Sequence, residues 1–203
     1  MDTARKLILI IFYRKLANIF SSKFIVECED SETQKYFRCE WTDNMYKKGK
    51  ETIDKYTKKT SSTCISFFPD LKKFNLEILS LDIIALMKKR VYDIAGLYSN
   101  RIKVYLNDER VELKSFKDYV NKYLDAEVDD SMKIYDKNMT TDRWEILVSF
   151  SDGVFKQVSF VNSICTSRGG THVNYICDQI VKEIMEAINK KHKKIVIKSH
   201  QIK

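Results

Sequence analysis

The chain has 203 residues, a net charge of +8, 44% hydrophobic residues, one proline and five glycines. These values exclude a long disordered linker and predict a globular protein with a substantial core. The excess of basic residues favours an acidic partner, such as nucleic acid, an anionic membrane surface or an acidic protein, or reflects charges that are merely solvated. The five cysteines contain no close pair, which indicates neither a disulfide framework nor a zinc site.

The first part of the chain predicts strands. The apolar run Leu7–Tyr13 is too short to cross a bilayer, so we expect no membrane span. Alternating residues predict strands over 23–29, 36–41 and 63–68. The lysine-rich stretch 42–62 predicts an exposed loop or a long hairpin tip. The cysteines in the strand-like runs are expected to be small buried hydrophobes: Cys28, Cys39 and Cys64.

A helix follows, and a composition change then marks a domain boundary. Ser80 can cap this helix and Gly96 can end it, with apolar residues at helical spacing between them. The boundary falls at 97–101. Beyond it, alternation over 102–106 with an Asn-Asp-Glu turn predicts a strand, and Ser115 is expected to start a short helix.

The clearest local signal predicts a hairpin. Residues alternate from Trp144 to Phe150, Asp152-Gly153 is a turn dipeptide, and a second strand is expected to return beside the first. The preceding stretch 125–142 is expected to be a polar connection. Together the elements predict a mixed α/β chain in two parts, with antiparallel pairing in each.

Gly169 and Gly170 stand between a strand-like run and a long helical one. Glycine permits positive φ, so the pair is expected to turn the chain sharply onto the helix, with Thr171 as a candidate cap. The apolar positions from Val173 to Ile188 form one stripe over more than four turns.

The two ends of this helix each have two interpretations. Its start can hold a phosphate on free N–H groups, or form a tight turn without a ligand. His172 is more typical of a turn or packing residue than of a catalytic base, because no carboxylate or serine partner is evident. The far end, at 189–194, carries four lysines and a histidine, which offset the helix dipole or contact DNA phosphates by charge alone.

The run FKQVSFVNSICTSRGGTHVNYICDQIV at 155–181 resembles the transducer region of eukaryotic-type type II DNA topoisomerases. That family carries a nearly identical Val-Ser-Phe-Val-Asn-Ser-Ile, a Gly-Gly-Thr-His and an Asp-Gln-Ile-Val in the same order. The resemblance extends upstream through RWEILVSFS and DIIALMKKRVYDIAGL to KLANIFSSKFIVE, and covers nearly all of 15–203.

The resemblance implies an α+β fold. Residues 15–97 would form the C-terminal part of a GHKL ATPase domain, a partial sheet-and-helix layer. Residues 98–203 would form most of a ribosomal-protein-like transducer domain, incomplete at its C-terminus. Residues 1–14 would be an extension outside the family, best explained by a truncated copy or a misassigned gene model.

The family changes DNA topology by ATP-driven passage of one double strand through another. ATP and Mg²⁺ close a gate in a homodimer, and the transducer passes that closure to the DNA-cleaving core. The resemblance therefore implies double-stranded DNA as partner and the nucleus as location. Gly169, Gly170 and Thr171 would make the turn onto a helix that relays the movement.

Departures from the family pattern limit what this chain is expected to do alone. The family's catalytic glutamate, its magnesium-binding asparagine and its nucleotide-binding glycines belong upstream of Lys15. Lys15 matches only the last lysine of the glycine-rich lid, so it is the single candidate ATP contact. The Gln-Thr-Lys loop and the DNA-cleaving residues are also unmatched. We therefore expect no catalytic residue, no metal ligand and no ATP binding by this chain alone.

The resemblance maps the family's DNA-contacting lysines onto Lys190, Lys191 and Lys193. Two functions remain open. The chain is either part of an ATP-dependent type II topoisomerase, which relays gate closure and contacts DNA, or a non-enzymatic basic module that binds DNA or dimerises with the full-length enzyme. Whether the chain is itself an enzyme stays open.

Overall fold

A computed structural model shows antiparallel strands and helices in two compact units, which divide between Ile84 and Ala85. The division lies inside helix α1 (Leu81–Leu97). The boundary implied by the family resemblance, between 97 and 98, stays a prediction. In the part of the chain that the structure describes, no helix is both long and apolar enough to cross a membrane. The structure describes these residues: 15–99, 101–124, 133–137, 144–151, 154–192 and 197–202.

Five antiparallel strands build the sheet of the first unit. The long strands are β1 (Ser21–Asp30), β2 (Lys35–Thr42) and β5 (Ser62–Pro69), and β1 lies between the other two. The short strands β3 (Lys47–Lys48) and β4 (Thr52–Lys55) both pair with β2. The three long strands confirm the predicted strands, and the lysine-rich stretch between β2 and β5 is an exposed hairpin region.

The strand register gives this sheet one apolar and one polar face. Phe24 lies opposite Trp41 and Phe67, so these rings share a face. The positions that alternate with these rings carry charges and lie on the other face. There the Glu40 carboxylate forms ion pairs with Lys23 at 3.1 Å and with Arg38 at 2.9 Å. These ion pairs hold the pKa of the Glu40 carboxyl below its usual value. The alternation predicted from sequence is thus a true division between two faces.

The cysteines follow the same register. Cys39 is fully buried and Cys28 half-buried on the apolar face. Cys64 is exposed, so the prediction that it is buried was wrong. It pairs with Glu27 in the β1–β5 ladder and therefore lies on the polar face. All five cysteines are free thiols.

Helix α1 begins as predicted but does not end as predicted. The hydroxyl of Ser80 accepts a hydrogen bond from the Ile83 N–H at 3.3 Å. The helix then continues to Leu97, so Gly96 lies inside it, buried. A Cβ at Gly96 would stand 2.4 Å from the Tyr119 ring, so glycine is required there for close packing.

The core of the second unit centres on Ala95, Leu113 and Tyr119. Tyr119 lies in the short helix α2 (Phe116–Val120), whose cap is Ser115, as predicted. The Ser115 hydroxyl accepts from the Asp118 N–H at 3.1 Å. The turn predicted at Asn-Asp-Glu joins two short strands, β6 (Tyr105–Leu106) and β7 (Glu109–Arg110).

The hairpin predicted around Asp152-Gly153 was wrong. Strand β9 (Glu145–Ser149) pairs with β8 (Lys133–Lys137), inside the stretch expected to be a polar connection. Strand β10 (Phe160–Val161) pairs with β11 (Ile164–Cys165) instead. Alternation reports that a strand has two faces, but it does not identify the partner strand. Asp152 and Gly153 themselves lie outside the described residues.

Candidate functional site

Helix α3 (Thr171–Lys191) is the longest helix among the described residues. Its 21 residues span about 30 Å. The predicted apolar stripe is confirmed except at Ile184, which is 38% exposed: Val173, Ile180 and Met185 are half-buried and Val181 is buried, while the opposite face is exposed. The glycine turn and the lysine cluster therefore lie at opposite ends of one long amphipathic helix.

The glycine pair turns the chain through backbone angles that other residues rarely adopt. Gly169 has φ of 73° and Gly170 has φ of 152°. The capping prediction for Thr171 was wrong, because Gly170 is the N-cap and Thr171 is the first helical residue. A Cβ at Gly170 would lie 2.9 Å from the His172 ring. The turn therefore needs glycine both for its angles and for space.

His172 has hydroxyl partners that the sequence did not reveal. Its Nε2 lies 3.1 Å from Thr166 Oγ1 and 3.3 Å from Ser159 Oγ. The Ser159 hydroxyl also donates to Gln157 Oε1 at 2.7 Å. Ser159 lies 13 residues before His172, and no spacing rule links them, so only the folded turn brings them together.

Gln157 ties this cluster to the backbone of the turn. Its Nε2 donates to the carbonyl oxygens of Thr166 at 3.3 Å and Ser167 at 3.0 Å. The hydroxyls thus share their hydrogen bonds with an amide and a ring nitrogen. Among the described residues, no carboxylate is hydrogen-bonded to His172. This arrangement fixes the strand-to-helix turn and does not resemble an activated nucleophile.

The lysine end of α3 is exposed. Lys190 and Lys191 stand in the last turn, and both side chains are solvent-exposed. Lys193 lies outside the described residues. Cations in a last turn offset the helix dipole, and exposed ammonium groups also bind phosphate by charge.

Lys15 lies in the first unit, in a helical turn at residues 15–19. With Asn18 it lines a cavity of about 340 Å³ on the apolar sheet face. The remaining walls are mainly apolar, with Phe24, Val26 and Trp41 among them. Lys15 is the only cation among the described residues that line this mostly apolar cavity. No group of His, Cys, Asp or Glu suited to a metal ion occurs within the described residues.

A buried charged network holds α1 to α2 in the second unit, and sequence reading did not find it. Asp93 is 2% exposed, and its carboxylate accepts hydrogen bonds from Lys89 at 2.9 Å and from the Tyr119 hydroxyl at 2.7 Å. Burial first, and then hydrogen bonds with Tyr123 and to Asp93, raise the pKa of Tyr119 far above its usual value. An aspartate in an amphipathic helix carries no sequence signal that it is paired inside a core.

The chain as a whole is similar to known proteins. Residues 113–203 match the DNA gyrase B family. The chain is 46% identical over 193 residues to DNA topoisomerase 2 of Arabidopsis thaliana, and 45% identical over 193 residues to DNA topoisomerase 2-alpha of Gallus gallus. These matches cover 93% of this chain, but 13% and 12% of the two relatives.

Solved structures agree with the sequence matches. The ATPase region of Saccharomyces cerevisiae topoisomerase II superposes with a TM-score of 0.81 at 42% identity, over 93% of this chain and 47% of that chain. The ATPase and transducer domains of DNA topoisomerase II from Balamuthia mandrillaris give a TM-score of 0.77 at 38% identity, over 88% of this chain and 45% of that one. The mixed helix-and-strand fold is therefore that of type II topoisomerase ATPase regions.

The chain belongs to the type II DNA topoisomerase family and corresponds to part of its ATPase region. It spans about an eighth of the length of the curated relatives described above.

Proposed function

We propose that this chain is the part of an ATP-dependent type II DNA topoisomerase that relays closure of the ATP gate and contacts duplex DNA. The single observation that supports this most is the close match of 93% of the chain to a topoisomerase ATPase region. On this proposal the second unit acts as a transducer of ribosomal-protein-like fold, and α3 is its lever. The enzyme would work as a homodimer with ATP and Mg²⁺, in the nucleus.

The DNA contact in this proposal is made by Lys190, Lys191 and Lys193. The first two are exposed at the far end of a helix whose near end is fixed by the His172 cluster. Lysines at a helix end neutralise phosphates without reading bases, so the predicted contact is independent of sequence. Movement of the glycine turn would displace the lysines, because a helix transmits rotation along its length.

A second candidate is a non-enzymatic basic module that binds DNA or associates with the full-length enzyme. The surroundings of Lys15 favour it, since the cavity walls beside that lysine are mostly apolar and offer no cradle for a triphosphate. The first candidate predicts DNA binding, and the second predicts DNA binding or association with the full-length enzyme. Only the first candidate predicts ATP turnover, and it predicts turnover by the complete enzyme that contains this chain.

Duplex binding at several salt concentrations tests the DNA contact. Replacing Lys190, Lys191 and Lys193 by alanine should weaken binding and reduce the slope of log K against log salt by about 2 to 3. A matched control replaces three exposed lysines of the first unit, namely Lys59, Lys72 and Lys73. Equal effects of the two triple variants would show that only net charge matters, which contradicts a contact at the end of α3.

A further inference from the structure

The short hairpin β10–β11 has its tip at the end of helix α1 and its base at the start of helix α3. The tip is the two-residue turn Asn162-Ser163. The base is the pair Ser159 and Thr166, where the Thr166 N–H donates to the Ser159 carbonyl oxygen at 2.8 Å. Three steps along a strand separate the base from the tip, which is about 10 Å.

Helix α1 holds the tip through a turn residue that carries a side chain. Asn162 has φ of 50° and Ser163 has φ of 68°, and a tight hairpin turn of this kind requires positive φ at both positions. Glycine is the usual residue at the second position, because other residues are strained there. The Ser163 hydroxyl shares a hydrogen bond with the hydroxyl of Tyr98, which directly follows α1. A glycine at 163 could not make this bond.

The side of the hairpin packs against the same helix. The Phe160 ring meets the Tyr119 ring edge to face, with 6.1 Å between their centres, and packs against the core that includes Ala95 of α1. The Lys89 ammonium group, also on α1, lies 6.0 Å from the centre of the Phe160 ring. The hairpin therefore contacts α1 along its side and follows α1 directly at its tip, so the two should move together.

The base of the hairpin holds the start of α3. The hydroxyls of Ser159 and Thr166 lie 2.5 Å apart, and both bond the His172 ring in the first turn of α3. The chain between base and helix is only residues 167–170 and contains both glycines of the turn. Because glycine leaves the backbone free to rotate, the bonds of His172 restrict the direction in which α3 leaves the hairpin.

We propose that β10–β11 is a strut that sets the direction of α3 from the position of α1, through the Tyr98–Ser163 bond at its tip and His172 at its base. A hairpin packed along its side moves as one piece, so a displacement of α1 reaches the glycine turn through packed and hydrogen-bonded groups. Tyr98 and His172 are then positioning residues for α3. This inference rests on the proposed function only for its role in gate closure, since the strut is a property of the folded second unit.

A double-mutant cycle in the full chain tests the strut. Tyr98 and His172 share no hydrogen-bond partner among the described residues, and distant residues of this kind normally act additively to within about twofold in the unfolding equilibrium constant. Tyr98→Phe removes one hydroxyl, and His172→Ala removes the bonds at the base. Urea denaturation of the double variant should give an increase in this constant that is more than about twofold below the product of the two single increases. Agreement with the product would overturn the proposal.

Tyr92→Phe is the matched control for Tyr98→Phe. Tyr92 also lies on α1, is 39% exposed, and forms no hydrogen bond through its hydroxyl to any described residue. Combined with His172→Ala, it should therefore act additively. A departure from additivity as large as that of the Tyr98→Phe pair would report a general effect on the second unit, and would also overturn the proposal.

The role in the enzyme is measured separately, in a chimeric Saccharomyces cerevisiae topoisomerase II that carries residues 15–191 of this chain. Tyr98→Phe and His172→Ala should each lower the number of strand passages per ATP hydrolysed by about fivefold, whereas Tyr92→Phe should leave it unchanged. An unchanged ratio in both variants would overturn the role of the strut in gate closure. A parent chimera that hydrolyses ATP without passing DNA would refute the proposed function instead, and the double-mutant cycle would still decide whether the strut exists.

Discussion

The Tyr119 hydroxyl donates a 2.7 Å hydrogen bond to the carboxylate of Asp93, in the core of the second unit. The same carboxylate accepts from Lys89 of its own helix. The ammonium group of Lys89 also lies about 6 Å from the centres of the Tyr123 and Phe160 rings. One buried acidic group thus joins α1 to α2, and the lysine that pairs with it lies beside the Phe160 ring of β10.

Replacing Asp93 by alanine should lower the free energy of unfolding of the second unit by about 2–3 kcal/mol. The reason is that Lys89 loses its ion pair and Tyr119 loses a charged acceptor in a buried site. Urea denaturation followed by circular dichroism measures the change. Asp82→Ala, at an exposed position in the first turn of the same helix, is the control and should cost less than about 1 kcal/mol. Equal costs for the two variants would contradict this role of Asp93.

Stability should fall at alkaline pH because of Tyr119. Its pKa is raised in the folded chain, by burial first and then by its hydrogen bonds, so the folded state keeps a proton that the unfolded state releases above about pH 10. The stabilisation is therefore complete below that pH and is lost as pH rises beyond it. Urea titrations at increasing pH should show this slope, and Tyr119→Phe should reduce it. An identical slope in both proteins would exclude Tyr119 as the cause.

Gly96→Ala should destabilise the second unit although alanine favours helices. The added methyl group would meet the Tyr119 ring at 2.4–2.6 Å, and such overpacking costs about 1–3 kcal/mol. Thermal unfolding measures the loss. Combining Gly96→Ala with Tyr119→Leu should cost less than the sum of the two single changes. Full additivity, or a stabilised Gly96→Ala variant, would show that the two residues do not pack as described.

Replacing each of the two glycines of the turn by alanine should lower the free energy of unfolding by different amounts. Gly169→Ala places a methyl group with no atom nearer than 4.0 Å, so it costs only the backbone strain of positive φ, about 1–2 kcal/mol. Gly170→Ala adds a contact with the His172 ring at 2.9 Å and should cost more. Chemical denaturation of both variants gives the comparison, and the reverse order would contradict the described turn.

The chain alone should not turn over ATP. Lys15 is its only candidate nucleotide contact, and the cavity that it lines has mainly apolar walls. Phosphate release from the purified chain should therefore match the blank, with or without duplex DNA. ATP hydrolysis that disappears in Lys15→Ala would contradict this expectation and would assign nucleotide chemistry to this chain.

The sequence predicted helices and strands correctly where residues close together in the chain determine them. Strong alternation identified β1, β2 and β5, and the stripe from Val173 to Ile188 identified α3. Ser80 and Ser115 act as caps because a cap depends on neighbours within a few residues. The motif at 155–181 was long enough to identify the family, which the comparisons confirm.

Apart from the helix cap at Thr171, which is displaced by one residue to Gly170, the misses depend on contacts between distant residues. The sequence suggested that Gly96 ends its helix. In the structure it lies inside the helix, where the missing side chain leaves room for the Tyr119 ring of another helix. The partner of β9 is β8, and periodicity contains no information about that choice. No serine partner of His172 was evident from the sequence, because Ser159 approaches it only after the turn has formed.

A chimeric enzyme tests the central proposal most directly. Residues 15–191 of this chain would replace the matching part of Saccharomyces cerevisiae topoisomerase II, and ATP-dependent strand passage would be measured together with ATP hydrolysis. We expect the chimera to pass strands, and Gly170→Ala within it to reduce strand passage more than hydrolysis. A stable, folded chimera that hydrolyses ATP without passing DNA would show that this chain does not relay gate closure.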